Sequence, residues 1–351
     1  MRPIRTVSVH MPTYQGMEFL ERVMRALAGQ RLDLAWDFTA IDSGSSDGTW
    51  EYLQGLQAEF PVPMRLERIH SVEFDHGDTR NLMASKSQGD LLVFLTQDAI
   101  PAGPDWLATL VANFADERVG AAYCRNVPRP DARASTKILS ANDPGYATER
   151  VVQQAPPNFA ELSPDEQRLL FNFNDVASAV RRELWELHPF PRTNFGEDVL
   201  MARALIEAGY QVIYDAEACV EHSHDYNPAQ MRARGEIDGS FNAQWLGRIC
   251  LPSQGDVEFL LKRFASEDAA AVAELGLPEG EARALRQELA DLRRPLFEGL
   301  CKGSQDPLRR AASKLRSTPK LRLLYVVHGF PPETWAGTEI YTLGLARGMA
   351  E

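Results

Sequence analysis

Short apolar runs alternate with helical patterns through the first half of the chain, and this alternation constrains the fold more than any other feature. "TVSVHM" precedes a helical pattern over 16–29, "FTAID" one over 48–58, "MRLERI" one over 78–88 and "LLVFL" one over 104–115, and "VGAAYC" reads as a further strand. The rhythm predicts an α/β fold, a mostly parallel mixed sheet with helices on both faces. Ligands bind such sheets at the carboxyl ends of the strands, so the residues just after each apolar run are where chemistry is expected.

From Val127 to Pro164 the pattern loosens into Pro-, Asp- and Asn-rich sequence, and a long irregular segment in a compact domain is commonly functional. Order returns with "DVASAV" as a strand, 181–187 as a short helix and 196–208 as a helix opening on Glu197 and Asp198. "YQVIYDAEACVEHSH" reads as one or two strands, 227–247 as a helix and 256–316 as charged helical sequence. Three parts are expected: an α/β domain over 1–250, a helical connector or subdomain over 251–320, and the start of a second α/β domain over 321–351. The last part holds one strand, "LRLLYVV", and one helix start, too little to bury a core alone.

Composition narrows the function classes. With 37 basic against 49 acidic residues the net charge is -12, which argues against nucleic acid as a partner, because neutralising phosphates takes basic clusters. The basic stretch at 302–322 reads first as a solvated helix face and second as a peripheral contact with an anionic membrane surface. Cys124, Cys219, Cys250 and Cys301 form no CxxC pair, so neither a structural zinc site nor a disulfide framework is indicated, and a reducing cytoplasm fits. The N-terminus has no apolar signal-type run, and nowhere are there 18 consecutive apolar residues. Nothing in the sequence fixes an oligomeric state.

The polar residues after the strands carry the chemistry. Pro12 and Tyr14 in "PTYQG" follow the first strand, at a position suited to a ligand or to a simple turn. In "DSGSSDGT", Asp47 reads as a helix cap and Asp42 as an acceptor for a nucleobase, with Ser45 beside it. Arg80 in "FDHGDTRN" stands near a helix start, where a guanidinium and free backbone N–H groups favour an anion. Asp98 in "FLTQDA" ends a strand where its carboxylate can hold a hard cation, with Gln97 able to add a carbonyl oxygen. Further ligands are offered by His222 and His224 in "VEHSHDY", two apart and on one strand face if extended. Glu197 and Asp198 stand where a helix N-terminus welcomes acids, and either can act as a general base.

In order, "PTYQG", "DSGSSDGT", "TRN", "FLTQDA", "GED" and "HSH" resemble the family 2 glycosyltransferases of GT-A fold, over residues 4 to 250. Within that family "FDHGDTRN" with "FLTQDAIP" is most similar to rhamnosyltransferases that build bacterial surface polysaccharides. The resemblance implies inverting transfer of a sugar from a nucleotide-diphosphate donor, dTDP-rhamnose first and UDP-hexoses behind it, to a glycan or lipid-linked glycan acceptor. It implies Asp42 at the nucleobase, Arg80 beside the nucleotide, and Asp98 as the last carboxylate of a DxD motif holding Mn²⁺ or Mg²⁺. It also implies His222 as the late histidine of the metal site, with His224 its neighbour, and Asp198 as the catalytic base with Glu197 beside it. Gln97 departs from the pattern by one charge, so the site is expected to lean on His222 and the donor's phosphates. Separately, "LLYVVHGFPPETWAGTEIYTLGLARGMA" resembles the beginning of family 4 glycosyltransferases of GT-B fold. The implied place of work is the cytoplasm, at the inner membrane face.

Other readings fare less well. A nucleotide-sugar pyrophosphorylase lacks its glycine-rich loop with a following lysine here, and no GxGxxG follows "TVSVHM" to suit a dinucleotide. A non-catalytic nucleotide-sugar binding or scaffold domain is the remaining alternative, and it has no need of Asp98, Asp198 and His222 together.

Overall fold

A computed structural model describes residues 1–317. The expected second domain at 321–351 lies outside the described residues, as does the end of the basic stretch at 302–322.

The alternating first half folds as its pattern dictates. Strand β1 (Thr6–Thr13) leads to helix α1 (Met17–Ala28), β2 (Ala35–Asp42) to α2 (Thr49–Leu56), and β3 (Met64–Arg68) to α3 (His76–Lys86). Next come β4 (Leu91–Leu95), the two-residue β5 (Ile100–Pro101), α4 (Trp106–Ala112) and β6 (Val119–Val127). The loose stretch after β6 holds two short elements that its sequence does not announce, α5 (Ala134–Ser140) and β7 (Val151–Gln153), and α6 (Pro164–Leu170) follows behind a capping box of Ser163 and Glu166. Then follow β8 (Ala177–Arg181), α7 (Arg182–Leu187), α8 (Glu197–Glu207) and a single long β9 (Gln211–Glu221). Helices α9 (Pro228–Trp245), α10 (Gln254–Glu274) and α11 (Glu279–Ser317) complete the described chain.

Among the described residues all nine strands join one sheet in the order β3-β2-β1-β4-β8-β6-β9-β5, with β7 paired to β9 beside that path. Strands β3, β2, β1 and β4 are parallel. Strand β8 runs antiparallel between β4 and β6, and β6 and β9 are parallel to each other. The sheet is therefore mixed, its parallel half built by the strand–helix rhythm and its antiparallel pairings confined to the second half.

Burial explains why β4 is an uninterrupted apolar run. Successive side chains of a strand point to opposite faces, so a strand covered on both sides is apolar at each position or pairs its polar groups, as Ser178 of β8 does with Asp175 and Arg181 with the Val119 and Phe114 carbonyls. Leu91, Val93 and Leu95 enter the core beneath α1, α2 and α4, with Leu20, Leu27, Leu53 and Leu107. Leu92 and Phe94 enter the opposite core beneath α3, α7 and α8, with Ala84, Leu184, Val199 and Leu205.

Met1–Gln305 form one compact unit. Helices α9 and α11 approach so closely that a Cβ at Gly235, Gly239, Gly299 or Gly303 would run into the other helix's backbone. Val272 of α10 and Leu285 and Leu289 of α11 also pack on Ile138 and Leu139 of α5. A buried ion pair secures the same region, with Arg293 donating to Asp268 at 2.6 and 2.7 Å and to Asn142 at 2.8 Å. Among the described residues no helix is long and apolar enough to cross a membrane.

Candidate active site

Two polar clusters form at the carboxyl end of β4. The first begins with Asp98, three residues beyond the last residue of the strand. Strand β5 then crosses to β9, with Ile100 opposite Glu221, and delivers the Asp98 loop to the "HSH" segment that follows β9. One ligand atom from each of Asp98, His222 and His224 lies within 4.8 Å of the others. Asp98 Oδ2 is 3.4 Å from His222 Nε2 and 3.6 Å from His224 Nε2. Ligands about 2.1 Å from an octahedral ion sit about 3 Å apart, so one carboxylate and two imidazoles at these separations suit a divalent cation.

The electrostatics favour the same use. Burial alone would raise the Asp98 carboxyl, but the hydrogen bond and charge of His222 outweigh it and hold the group below the usual carboxylate range. His224 is lowered, first by loss of solvent and then by His222. A neutral imidazole is the form that binds a metal.

Arg129, which motif reading missed, closes this cluster. It lies in "VPRPD", between two prolines just after β6, and is buried, with 6% of its surface exposed. Its Nη2 donates to the Asp98 carbonyl at 2.8 Å and stands 3.6 Å from Asp98 Oδ2. Its Nη1 donates to the Ser223 carbonyl, and its backbone N–H donates to Ser223 Oγ at 3.1 Å. The guanidinium lies over the Phe19 ring of α1, 3.8 Å from its centroid. An arginine held between prolines in a loop that directly follows a strand is the signal that marks it.

The second cluster gathers carboxylates around Arg80. Arg80 Nη1 donates to Glu197 Oε1 at 2.7 Å and to the His76 carbonyl at 3.0 Å, and Nε stands 3.1 Å from Asp175 Oδ2. Asp175, also missed in the sequence, precedes β8, which pairs with β4 and so places it at this edge. Asp198, the third acid, is half-buried, takes the Val199 N–H at 2.7 Å and lies 3.4 Å from the Asp175 N–H. Among the described residues it has no salt-bridge partner. Burial, then the Asp198 carboxylate, pushes Glu197 well above its ordinary value, and burial raises Asp175 likewise.

Buried polar atoms without a partner concentrate here. Among the described residues they include Asn126 Oδ1, Arg129 Nε, Asn174 Oδ1 and His222 Nδ1, all on segments that meet at this edge. Folded proteins leave few such atoms, and a cluster of them marks a place where a ligand or ion completes the network.

Several residues read as ligand contacts also make contacts inside the protein. Gln97 spends both ends of its amide on Tyr14, accepting from its N–H and donating to its carbonyl, each at 2.8 Å. It thereby clamps the loop after β1 rather than lending its carbonyl to a cation, and leaves the Tyr14 side chain 53% exposed. Asp42 is fully buried, and its oxygens accept from Ser45, Gly44 and Thr13 and pair with Arg68 at 3.2 Å. Ser45 Oγ accepts in turn from the Gln15 N–H at 2.9 Å, which locks the β1 and β2 loops together. Asp47 joins two helix starts, accepting from the N–H groups of Thr49 and Met17. Arg80 faces buried carboxylates and not an open anion site, because the helix that carries it packs against α8. Pro12 is partly buried at the end of β1, beside this loop pair.

Arg80 to methionine is therefore expected to cost about 3–5 kcal/mol of stability, since it strands two buried acids. Urea unfolding measures this. Because Glu197 and Asp175 are raised, the native state keeps protons that the unfolded chain has released above the ordinary carboxylate range. Their contribution is complete at acid pH and falls as pH rises through that range toward the raised folded values, so the variant's deficit should shrink at acid pH.

Comparisons with known proteins agree with this architecture. The profile described as Glycosyl transferase family 2 matches residues 8–187. The chain is 32% identical over 268 residues to O-antigen chain rhamnosyltransferase RfbN of Salmonella typhimurium, covering 73% of this chain and 82% of that protein. It is 34% identical over 235 residues to O-antigen chain rhamnosyltransferase WbaN of Salmonella anatum, covering 63% of this chain and 70% of that one. Among solved structures, the mannosyltransferase PcManGT from Pyrobaculum calidifontis, in complex with GDP-Man and Mn²⁺, shares the fold. Its TM-score is 0.56 at 20% identity, over 87% of this chain and 88% of that one. On the family profile and the two rhamnosyltransferase relatives, the chain belongs to glycosyl transferase family 2.

Proposed function

We propose that this chain transfers a sugar, with inversion, from a nucleotide-diphosphate donor to a hydroxyl of a glycan or lipid-linked glycan in bacterial surface polysaccharide synthesis. The donor proposed first is dTDP-rhamnose, supported by the names of the two relatives. One observation carries the reading. The Asp98, His222 and His224 cluster and the Asp198 carboxylate stand at the same strand edge, one suited to a diphosphate-bound cation and the other to a proton.

In this reading Asp198 takes the acceptor's proton as the hydroxyl attacks the anomeric carbon from the face opposite the diphosphate. The bond to the leaving oxygen breaks as the new one forms, the configuration inverts, and no covalent enzyme intermediate is needed. Asp98, His222 and His224 would hold Mn²⁺ or Mg²⁺, which when bound offsets the charge gathering on the diphosphate, a contribution of several kcal/mol. Pro12, the exposed Tyr14 ring and the Asp42–Ser46 loop would receive the nucleoside, with Gln97 and Ser45 fixing that surface. Arg80 would keep Glu197 in place beside Asp198. Peripheral attachment at the inner membrane face would bring the site to its acceptor.

The test is a panel of nucleotide sugars incubated with the purified chain, with and without Mn²⁺. Slow release of sugar from dTDP-rhamnose ahead of UDP-hexoses is the expected result. Binding of a donor with no turnover under any condition would move the chain to a non-catalytic binding role.

A further inference from the structure

The sheet brings Asp98 near His222 but does not by itself aim the side chains. Strands β4 and β9 are separated by β8 and β6, and the direct link between the two segments is the short β5–β9 pairing. That pairing fixes the main chain at Ile100 and Glu221, leaving Asp98 and the "HSH" segment beyond its ends.

Arg129 spans that gap. One branch of its guanidinium holds the Asp98 carbonyl at 2.8 Å, and the other holds the carbonyl of Ser223, the residue between the two histidines. Its own backbone N–H fixes the Ser223 hydroxyl at 3.1 Å. The flanking Pro128 and Pro130 limit the backbone of this stretch, and the Phe19 ring supports the guanidinium from α1. A planar fork with two separate donors can bridge two carbonyls in this way, whereas a lysine offers one nitrogen.

We propose that Arg129 is the positioning residue of the Asp98, His222 and His224 site, a guanidinium clasp that assembles the three ligands before any cation arrives. This inference rests on the metal-binding reading of those residues. It has a definite cost. A fixed positive charge 3.6 Å from Asp98 Oδ2 opposes a second cation, so the clasp and the charge pull affinity in opposite directions. For the clasp to prevail, the gain from aligned ligands must exceed this repulsion, and the Mn²⁺ affinities of the variants measure the balance.

The experiment titrates Mn²⁺ alone into the full chain and follows free Mn²⁺ by electron paramagnetic resonance. Arg129 to lysine keeps the charge and loses the fork, and is expected to bind Mn²⁺ at least about tenfold more weakly at a temperature where parent and variant are both folded in EDTA. Phe19 to leucine, which leaves Arg129 present but unsupported, should shift affinity the same way by less, and it carries the test if the lysine variant fails to fold. Arg129 to methionine separates the two effects. If it binds Mn²⁺ more tightly than the parent, Arg129 acts by repulsion and the clasp is overturned. Equal affinity of parent, lysine and leucine variants also overturns it, whereas a parent that binds no Mn²⁺ would sink the metal reading itself.

Discussion

Replacing Asp198 with asparagine is expected to lower the rate of transfer about 10²- to 10⁴-fold while leaving donor affinity within about twofold, the range lost when a general base is removed. The choice of Asp198 over its neighbours follows from the company each acid keeps. Glu197 and Asp175 are buried, share Arg80, and are pushed toward their protonated forms. Asp198 is half-buried, lies in the first turn of α8 where the helix dipole favours an anion, and has no salt-bridge partner among the described residues. Of the three crowded carboxyls Asp198 is the one that keeps contact with water, as a group that takes a proton from an acceptor must.

Asparagine preserves the size of Asp198 and an oxygen for the Val199 N–H, so the helix start should survive. Donor binding by calorimetry and initial rates with the donor that the panel identifies separate the two quantities. Transfer persisting at the parent rate would remove Asp198 as the base. Glu197 to glutamine offers a contrast, since a group already inclined to hold its proton should lose far less rate on amidation.

The parts of this site that are legible in the sequence are those encoded locally. Asp98 could be placed because an apolar strand ends abruptly in "TQD", and His222 and His224 because they share a strand-like spacing after β9. The parallel half of the sheet was legible for the same reason, each strand and helix carrying its own period. What escaped depends on pairings across the chain. Nothing near Arg129 in sequence indicates that its fork spans Asp98 and Ser223, residues far from it and from each other along the chain. Asp175 reads as the first residue of a strand until β8 is inserted antiparallel beside β4. Strands of two or three residues, such as β5 and β7, are too short to show a period. Local rules also do not show which polar residues the fold itself employs. Gln97, Asp42 and Arg80 are polar residues at strand or helix ends, and each finds its partner within the protein.

Asp98 to alanine should uncouple metal from donor. The structure leaves the site one carboxylate, since Gln97 is occupied with Tyr14, so removing Asp98 leaves two imidazoles that hold a hard cation poorly. Mn²⁺ affinity is expected to fall at least about 100-fold, and transfer with it, by the several kcal/mol a bound cation contributes at a developing diphosphate charge. Folding should suffer less, because Arg129 keeps the backbone carbonyl of residue 98 and that of Ser223. The decisive measurement is donor affinity by calorimetry in Mn²⁺ and in EDTA, for parent and variant. Coupling between two ligands is reciprocal, so if the cation bridges Asp98 and the diphosphate, the parent must bind donor more tightly in Mn²⁺ and the variant must bind equally in both. A parent indifferent to Mn²⁺ would show that Asp98 and its histidines serve the fold or the acceptor.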